Sequence, residues 1–227
     1  MAPQFIHLRL HSEYSISDGI VRLDDAVERA GSDGMPALAL TDLANVFGLV
    51  KFYQAARGKG LKPIVGCDLW ISNEHDRDKP YRLLLLCQNR AGYLRLCELL
   101  SRAYRSNQHR GRAEVVAGWF RELGTEGLIA LSGGGSGDVG HALLADNVAL
   151  AVKLAQSWAG LFPGRYYLEL QRAGHAEDDG YVQRAVRLAG RMRLPVVATH
   201  PIQFLTPEEF RAHEARVCIS QGYVLAD

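Results

Sequence analysis

Arg82-Leu83-Leu84-Leu85-Leu86-Cys87-Gln88 is the stretch that decides the fold class. Its interior is uninterrupted apolar sequence bounded by polar residues, too short for a core helix and without the alternation of a half-exposed strand. An unbroken run of this length suits a strand covered on both faces, as in a parallel sheet. Working outward, similar short runs fall at 5–9, 37–41, 63–71, 127–132, 166–170 and 195–199, which with 82–88 makes seven strand candidates. Helical patterns alternate with them. Leu23, Ala26, Val27 and Ala30 recur at helical spacing, with Gly31 as a C-terminal stop. Further helices are expected over 45–57, 93–104, 141–159, 181–192 and 208–220, with an extra one over 114–123. Repeated βα units predict an α/β fold with parallel strands and right-handed crossovers. The pattern alone fits a closed barrel or an open doubly wound sheet equally well. The polar segments 72–80 and 106–113 read as surface insertions.

Composition narrows the classes. The 227 residues are 48% hydrophobic and 22% charged, a globular mix. A net charge of +1 and a pI near 7.8 argue against autonomous nucleic-acid binding, although a local basic patch is compatible with them. Cys67, Cys87, Cys97 and Cys218 form no C-x-x-C pair, so a structural zinc site is not expected and they read as reduced residues of a cytoplasmic protein. Met1-Ala2-Pro3-Gln4 opens no secretion signal, and no apolar run is long enough to span a bilayer.

In α/β sheets the chemistry gathers at the C-terminal ends of strands. Here those ends hold Arg9 to Asp18, Asp42 with Leu43, Asp68, Gln171 to Gly174, and His200 to Gln203. His7, Arg9 and His11 would share one face of an extended strand. By themselves, His11 and Asp18 fit a metal site or a structural hydrogen bond. His200 is a candidate replacement ligand; His75, His109 and His175 read as solvated, and His141 and His213 as packing or surface residues. Arg102, Arg105, Arg110 and Arg112, with Tyr104, form a basic stretch that is read as a solvated loop rather than a nucleic-acid contact. Gly135-Ser136-Gly137-Asp138-Val139-Gly140 matches the dinucleotide-binding glycine pattern, but it follows the fifth strand rather than the first, so it reads as a tight turn.

Several motifs together carry a resemblance. They are Phe5-x-His7-Leu8-x-x-His11-Ser12-x-Tyr14-Ser15-x-x-Asp18-Gly19, Ala39-Leu40-Thr41-Asp42, Gly48-Leu49-Val50-Lys51-Phe52-Tyr53 and Gly60-Leu61-Lys62-Pro63-Ile64-Val65-Gly66. Leu131-Ser132-Gly133-Gly134, Tyr167-Leu168-Glu169-Leu170, Pro195-Val196-Val197-Ala198-Thr199 and His213-Glu214-x-Arg216-Val217 extend it. Over essentially its whole length the chain resembles the N-terminal PHP (polymerase and histidinol phosphatase) domains of bacterial replicative family C polymerases, the DNA polymerase III alpha subunits. The resemblance implies a distorted (β/α)7 barrel spanning 1–227, in an N-terminal fragment of a longer polymerase that stops slightly short of the domain's end.

Active PHP proteins hold a multinuclear cluster, often of zinc or manganese, on histidines and carboxylates and cleave phosphoesters. Carried over position by position, most of that ligand set is missing. His11, Asp18 and Asp68 remain as vestigial positions. Arg9 and Leu43 stand where the family has histidines, Arg82 and Ala173 fall at two further ligand positions, and Pro201 and Gln203 replace the closing D-x-H. Arginine cannot ligate a metal, and leucine, alanine and proline offer no donor. The expectation is a non-catalytic structural module without a cofactor of its own, the parent polymerase using magnesium. The implied partners are the proofreading exonuclease (epsilon) subunit, the rest of the polymerase chain, and DNA only through the full-length protein. The alternative is an active metal-dependent phosphoesterase or intrinsic 3′-5′ exonuclease. Arg9, helped by Arg82, is expected to bridge Asp68 or Asp18 in place of the metals. Val224 and Leu225 are expected to be exposed.

Overall fold

The computed structural model of the chain describes residues 5–225; the readings made on residues 1–4 and 226–227 lie outside the described residues. In chain order the first elements are α1 (Leu23–Ser32), β1 (Ala37–Leu40), α2 (Leu49–Gly58), β2 (Lys62–Ile71), β3 (Tyr81–Cys87) and α3 (Arg90–Ser106). Then come β4 (Gln108–His109), β5 (Arg112–Val115), α4 (Trp119–Leu123), β6 (Leu128–Leu131), α5 (Asp138–Leu144) and α6 (Val148–Leu161). The last are β7 (Tyr166–Leu170), α7 (Asp178–Met192), β8 (Val196–Ala198) and α8 (Phe210–Gln221). The chain divides into two compact units, Met1–Cys67 with Pro201–Asp227, and Asp68–His200.

In the first unit β1 pairs in parallel with the start of β2, Ala37 opposite Lys62 and Leu40 opposite Val65. The apolar face anticipated for α1 is the one it buries: Leu23, Ala26, Val27 and Ala30 pack with Leu38, Leu40, Phe52 and Ala56. Fully burying a side chain such as Phe52 stabilises by roughly 1.5–3 kcal/mol. Residues 5–9 are not a regular strand. The segment lies beside β1, with Ala39 N donating to His7 O and Thr41 N to Leu10 O, both at 3.0 Å. The ladder breaks because Leu10 N donates to the Thr41 hydroxyl at 2.9 Å instead of to a carbonyl. What remains are isolated bridges, Leu10 with Ile202 and Ser12 with Val21.

In the second unit the strand order is β4-β5-β2-β3-β6-β7-β8. The sheet is mixed, which corrects the all-parallel expectation. β6–β7 and β7–β8 are parallel, whereas β3–β6 and β4–β5 are antiparallel. The segment from Ser72 to Pro80 is too short for the crossover of a dozen or more residues that a parallel connection needs. Segment 106–113 is likewise no loop. Most of it forms the β4–β5 hairpin, whose second strand runs parallel to β2 with Trp70 opposite Glu114. The extra helix shrinks to α4 as a result. The helix expected over 141–159 is two helices, α5 and α6, because Asp146 takes φ of 56° and the Asn147 side chain then caps α6 by accepting from Leu150 N. The helix expected from residue 45 starts at Leu49, since Ala44 has φ of 54° and Asn45 Oδ1 accepts from Phe47 N in a preceding turn.

Candidate functional site

In the first unit, Ser12 opens a short 3₁₀ helix, Glu13–Ser15, by accepting from Tyr14 N. This turn places two hydroxyls against Asp42 at the end of β1. Asp42 Oδ1 accepts from Ser12 N at 2.7 Å, Ser12 Oγ at 2.9 Å and Ser15 Oγ at 2.9 Å, and Oδ2 lies 3.0 Å from Ser12 Oγ. Ser15 Oγ in turn accepts from Leu43 N at 2.9 Å. Asp42 is only 1% exposed. Burial pushes its carboxyl above the ordinary range, and the hydrogen bonds from Ser12 and Ser15 work against that shift. Beside this network, Asp18 Oδ2 lies 2.9 Å from His11 Nδ1 and accepts from the Gln203 carboxamide at 2.9 Å. Gly19 follows because the backbone comes back against His11 and Ser12; a Cβ there would run into both of their carbonyl oxygens. Arg9 is buried on the same segment, and its carbonyl accepts from Ile202 N at 3.3 Å. Leu43 and Pro201 are half-buried and offer no side-chain donor.

In the second unit, β2 and β3 supply a bidentate ion pair. Arg82 Nε lies 3.2 Å from Asp68 Oδ1, and Arg82 Nη2 lies 2.5 Å from Oδ2. Asp68 is fully buried and the Arg82 side chain is 13% exposed. The guanidinium also lies over the Trp70 ring, 4.2 Å from its centroid. Arg112 approaches the same ring at 5.8 Å and bonds the buried Glu114, which Arg77 reaches at 3.1 Å. Two buried carboxylates, Asp68 and Glu114, are thus each paired with an arginine, Arg82 and Arg112, that lies over the one Trp70 ring.

Elsewhere in the second unit, Ala173 is exposed, and its backbone N–H joins those of Gly174 and His175 in donating to Asp178 Oδ2. His200 is exposed. His109 is not simply solvated, since its Nε2 lies 2.7 Å from Asp78 Oδ1. The basic stretch is largely neutralised internally: Arg102 pairs with Glu122 and stacks over Trp119, Arg110 pairs with Asp78, and Arg112 with Glu114. The glycine pattern serves packing. A Cβ on Gly137 would strike Ser132 O, and one on Gly140 would strike Gly134 O. Asp138 already occupies the start of α5, accepting from the Trp158 indole at 2.8 Å. Two fully buried acids were not singled out as site residues from sequence, Glu114 and Glu169; Glu169 accepts from Gly133 N and from the Gln171 amide and the Thr199 hydroxyl. The signal for Glu169 was an acid inside an otherwise apolar strand.

A metal cluster needs lone pairs converging on one point. Here N–H and O–H donors converge on the carboxylates instead. Both oxygens of Asp68 face a guanidinium, Asp42 is wrapped by hydroxyls and an amide, and Gln203 presents its NH₂ end to Asp18. Among the described residues no three His, Cys, Asp or Glu side chains are grouped to hold a metal ion. The donor set therefore does not fit the family's cluster.

The family described as PHP domain matches residues 7–173. The DNA polymerase III subunit alpha of Pseudomonas aeruginosa is 43% identical over 227 residues, covering 100% of this chain and 19% of that protein. The same subunit from Neisseria meningitidis serogroup A is 47% identical over 227 residues, covering 99% of this chain and 20% of the relative. The chain thus spans about a fifth of the length of the curated relatives it matches. Among solved structures, an amidohydrolase from Chromobacterium violaceum superposes with a TM-score of 0.55 at 16% identity, covering 93% of this chain and 96% of that one, a likeness of fold.

Proposed function

We propose, from the premise that this chain belongs to the PHP domain family and is homologous over its whole length to DNA polymerase III alpha subunits, that it is a non-catalytic structural module of a replicative polymerase. The observation that supports this reading is the guanidinium of Arg82 on Asp68. A fixed cation on the carboxylate opposes a second, divalent one by direct repulsion, and it supplies the charge balance a metal would have given. Arg9, which is also buried, is read in the same way, as a cation standing at a former ligand position. The closed seven-stranded barrel of the family belongs to the same proposal.

In this reading the module braces the rest of the polymerase chain and docks the proofreading exonuclease subunit in the cytoplasm. DNA synthesis and its magnesium belong to the parent polymerase. No helix among the described residues is long and apolar enough to cross a membrane.

The test has two arms. Elemental analysis of the purified chain should find no stoichiometric zinc, manganese or iron, and phosphodiester hydrolysis with added manganese or zinc should stay at background. Turnover that is lost in both His11→Ala and Asp68→Ala would establish the active phosphoesterase instead. Co-purification with the cognate exonuclease subunit tests the docking role; failure to co-purify with the full-length polymerase would remove it.

A further inference from the structure

The segment Gly60-Leu61-Lys62-Pro63-Ile64-Val65-Gly66 plays no part in the site above, yet the chemistry around it is one-sided. From Leu43 to Cys67 there is no Asp or Glu, while Lys51, Arg57, Lys59 and Lys62 are basic, in a chain whose net charge is only +1. Lys51 is accounted for by Asp24 at 3.3 Å and Glu13 at 3.7 Å. Arg57, Lys59 and Lys62 are exposed and make no ion pair among the described residues. They surround the turn from α2 into β2, where Pro36, Arg57, Gly60, Leu61 and Lys62 line an open cavity of about 340 Å³.

A basic residue in the last turn of a helix offsets the helix dipole, and that accounts for Arg57. It does not account for Lys59 and Lys62, which lie beyond the helix. The carbonyls at this helix end are already taken: Ala55 and Ala56 accept from Lys59 N, Ala56 from Leu61 N, and Arg57 from Gly60 N. The nearest acid on the preceding loop, Asp33, is held by Arg29 at 3.0 Å. Cations therefore dominate the cavity rim. One turn back on α2, Tyr53 is 48% exposed and stands four residues before Arg57, about 6 Å along the helix axis. An exposed ring followed by cations at that spacing matches a base stacked on an aromatic with its phosphates on the neighbouring charges.

The geometry points to a contact surface for single-stranded nucleic acid, with Tyr53 as the stacking platform and Arg57, Lys59 and Lys62 as the phosphate-binding cations. An unpaired strand fits better than a duplex, whose bases are not free to meet the ring, and better than an acidic peptide, which would leave the aromatic unused. The surface uses none of the residues behind the non-catalytic reading and stands or falls without it.

The test is fluorescence anisotropy of a labelled oligothymidine with the 227-residue chain over a salt series. Three phosphate contacts on a single strand give a log–log salt slope of about −2, so a fourfold rise in salt should weaken binding roughly 20-fold. The combined Arg57→Ala, Lys59→Ala, Lys62→Ala variant should lose that slope. Tyr53→Ala should weaken binding about tenfold and keep it. All four side chains are exposed, so unchanged thermal unfolding will show that the variants fold. A variant elsewhere, Arg187→Ala with Arg191→Ala, should bind as the parent does. The proposal is overturned by no binding at low salt, by an unchanged slope in the triple variant, by an equal loss in the Arg187/Arg191 control, or by polyglutamate binding where the oligonucleotide does not.

Discussion

Arg82→Ala is the sharpest probe of the buried ion pair. The substitution removes two hydrogen bonds to a carboxylate that is fully buried, from a side chain that is itself 13% exposed. It also removes the cation lying 4.2 Å from the Trp70 ring centroid. Breaking a buried pair from one side costs about 3–5 kcal/mol, because the desolvated carboxylate is left without that compensation, and the ring contact adds about 0.5–2 kcal/mol. Taking about 4 kcal/mol in total, Tm should fall by roughly 8–16 °C for a chain of this size. With m near about 2 kcal/mol per M, the urea midpoint should drop by roughly 2 M. Arg82→Lys keeps the charge but not the fork, so it should fall between the parent and the alanine variant. The double change Arg82→Leu with Asp68→Leu should recover part of the loss, since apolar residues in place of both partners remove the two charges of this pair together. A loss under about 1 kcal/mol for Arg82→Ala would equate the pair with a solvated surface bridge and refute the reasoning. So would a double variant as unstable as the sum of its parts.

Other perturbations follow from the same geometry. Burial lifts the Asp42 carboxyl above its ordinary 3.8, so the folded chain holds that proton more tightly than the unfolded one. This contribution to stability is complete below about pH 3.8 and is lost as pH rises through the raised value. The parent should therefore gain on Asp42→Asn as pH falls from about 7 toward about 4 in paired urea titrations, and a flat or reversed difference would exclude it. Trp158→Phe strips the indole donor from the buried end of Asp138 and should cost about 1–3 kcal/mol by thermal unfolding, an unchanged Tm counting against that role. Gly137→Ala forces a methyl onto Ser132 O and should cost at least about 1–3 kcal/mol; a neutral result would mean the loop can move away.

Local chemistry decided what the sequence disclosed. The apolar run Leu83 to Cys87 lies within β3, and the face of Leu23, Ala26, Val27 and Ala30 is the one α1 buries, because burial on both faces or on one stripe writes itself into residue order. The N-terminal segment did not become a strand because a single hydroxyl, Thr41 Oγ1, captured the N–H that would have continued the ladder. The β4–β5 hairpin was hidden in polar sequence, since the partners that make its arginines acceptable in a sheet, Asp78 and Glu114, are charges whose pairing only the fold reveals. The Asn147 cap was visible in principle, but the apolar pattern running through it outweighed one polar residue. At the site, Asp68 and Arg82 could be named one by one. Their contact spans neighbouring strands and belongs to geometry. The serine wrapping of Asp42 was not foreseen, because nothing in Ser12 or Ser15 distinguishes a turn hydroxyl from one that serves a carboxylate 30 or 27 residues away.

α8 buries none of its residues, and Ile219 on it is 84% exposed. The Arg216 guanidinium ties it to the N-terminal segment, donating to Ile16 O at 2.7 Å and Glu13 O at 3.4 Å. A helix with so little apolar burial is held by a small opening free energy, so its amides should exchange with solvent long before those of β3 or α3. The same local opening would present Arg211 and Arg216 to trypsin in an extended backbone. Cleavage there would release the terminal segment while the buried strands of Asp68–His200 stayed protected.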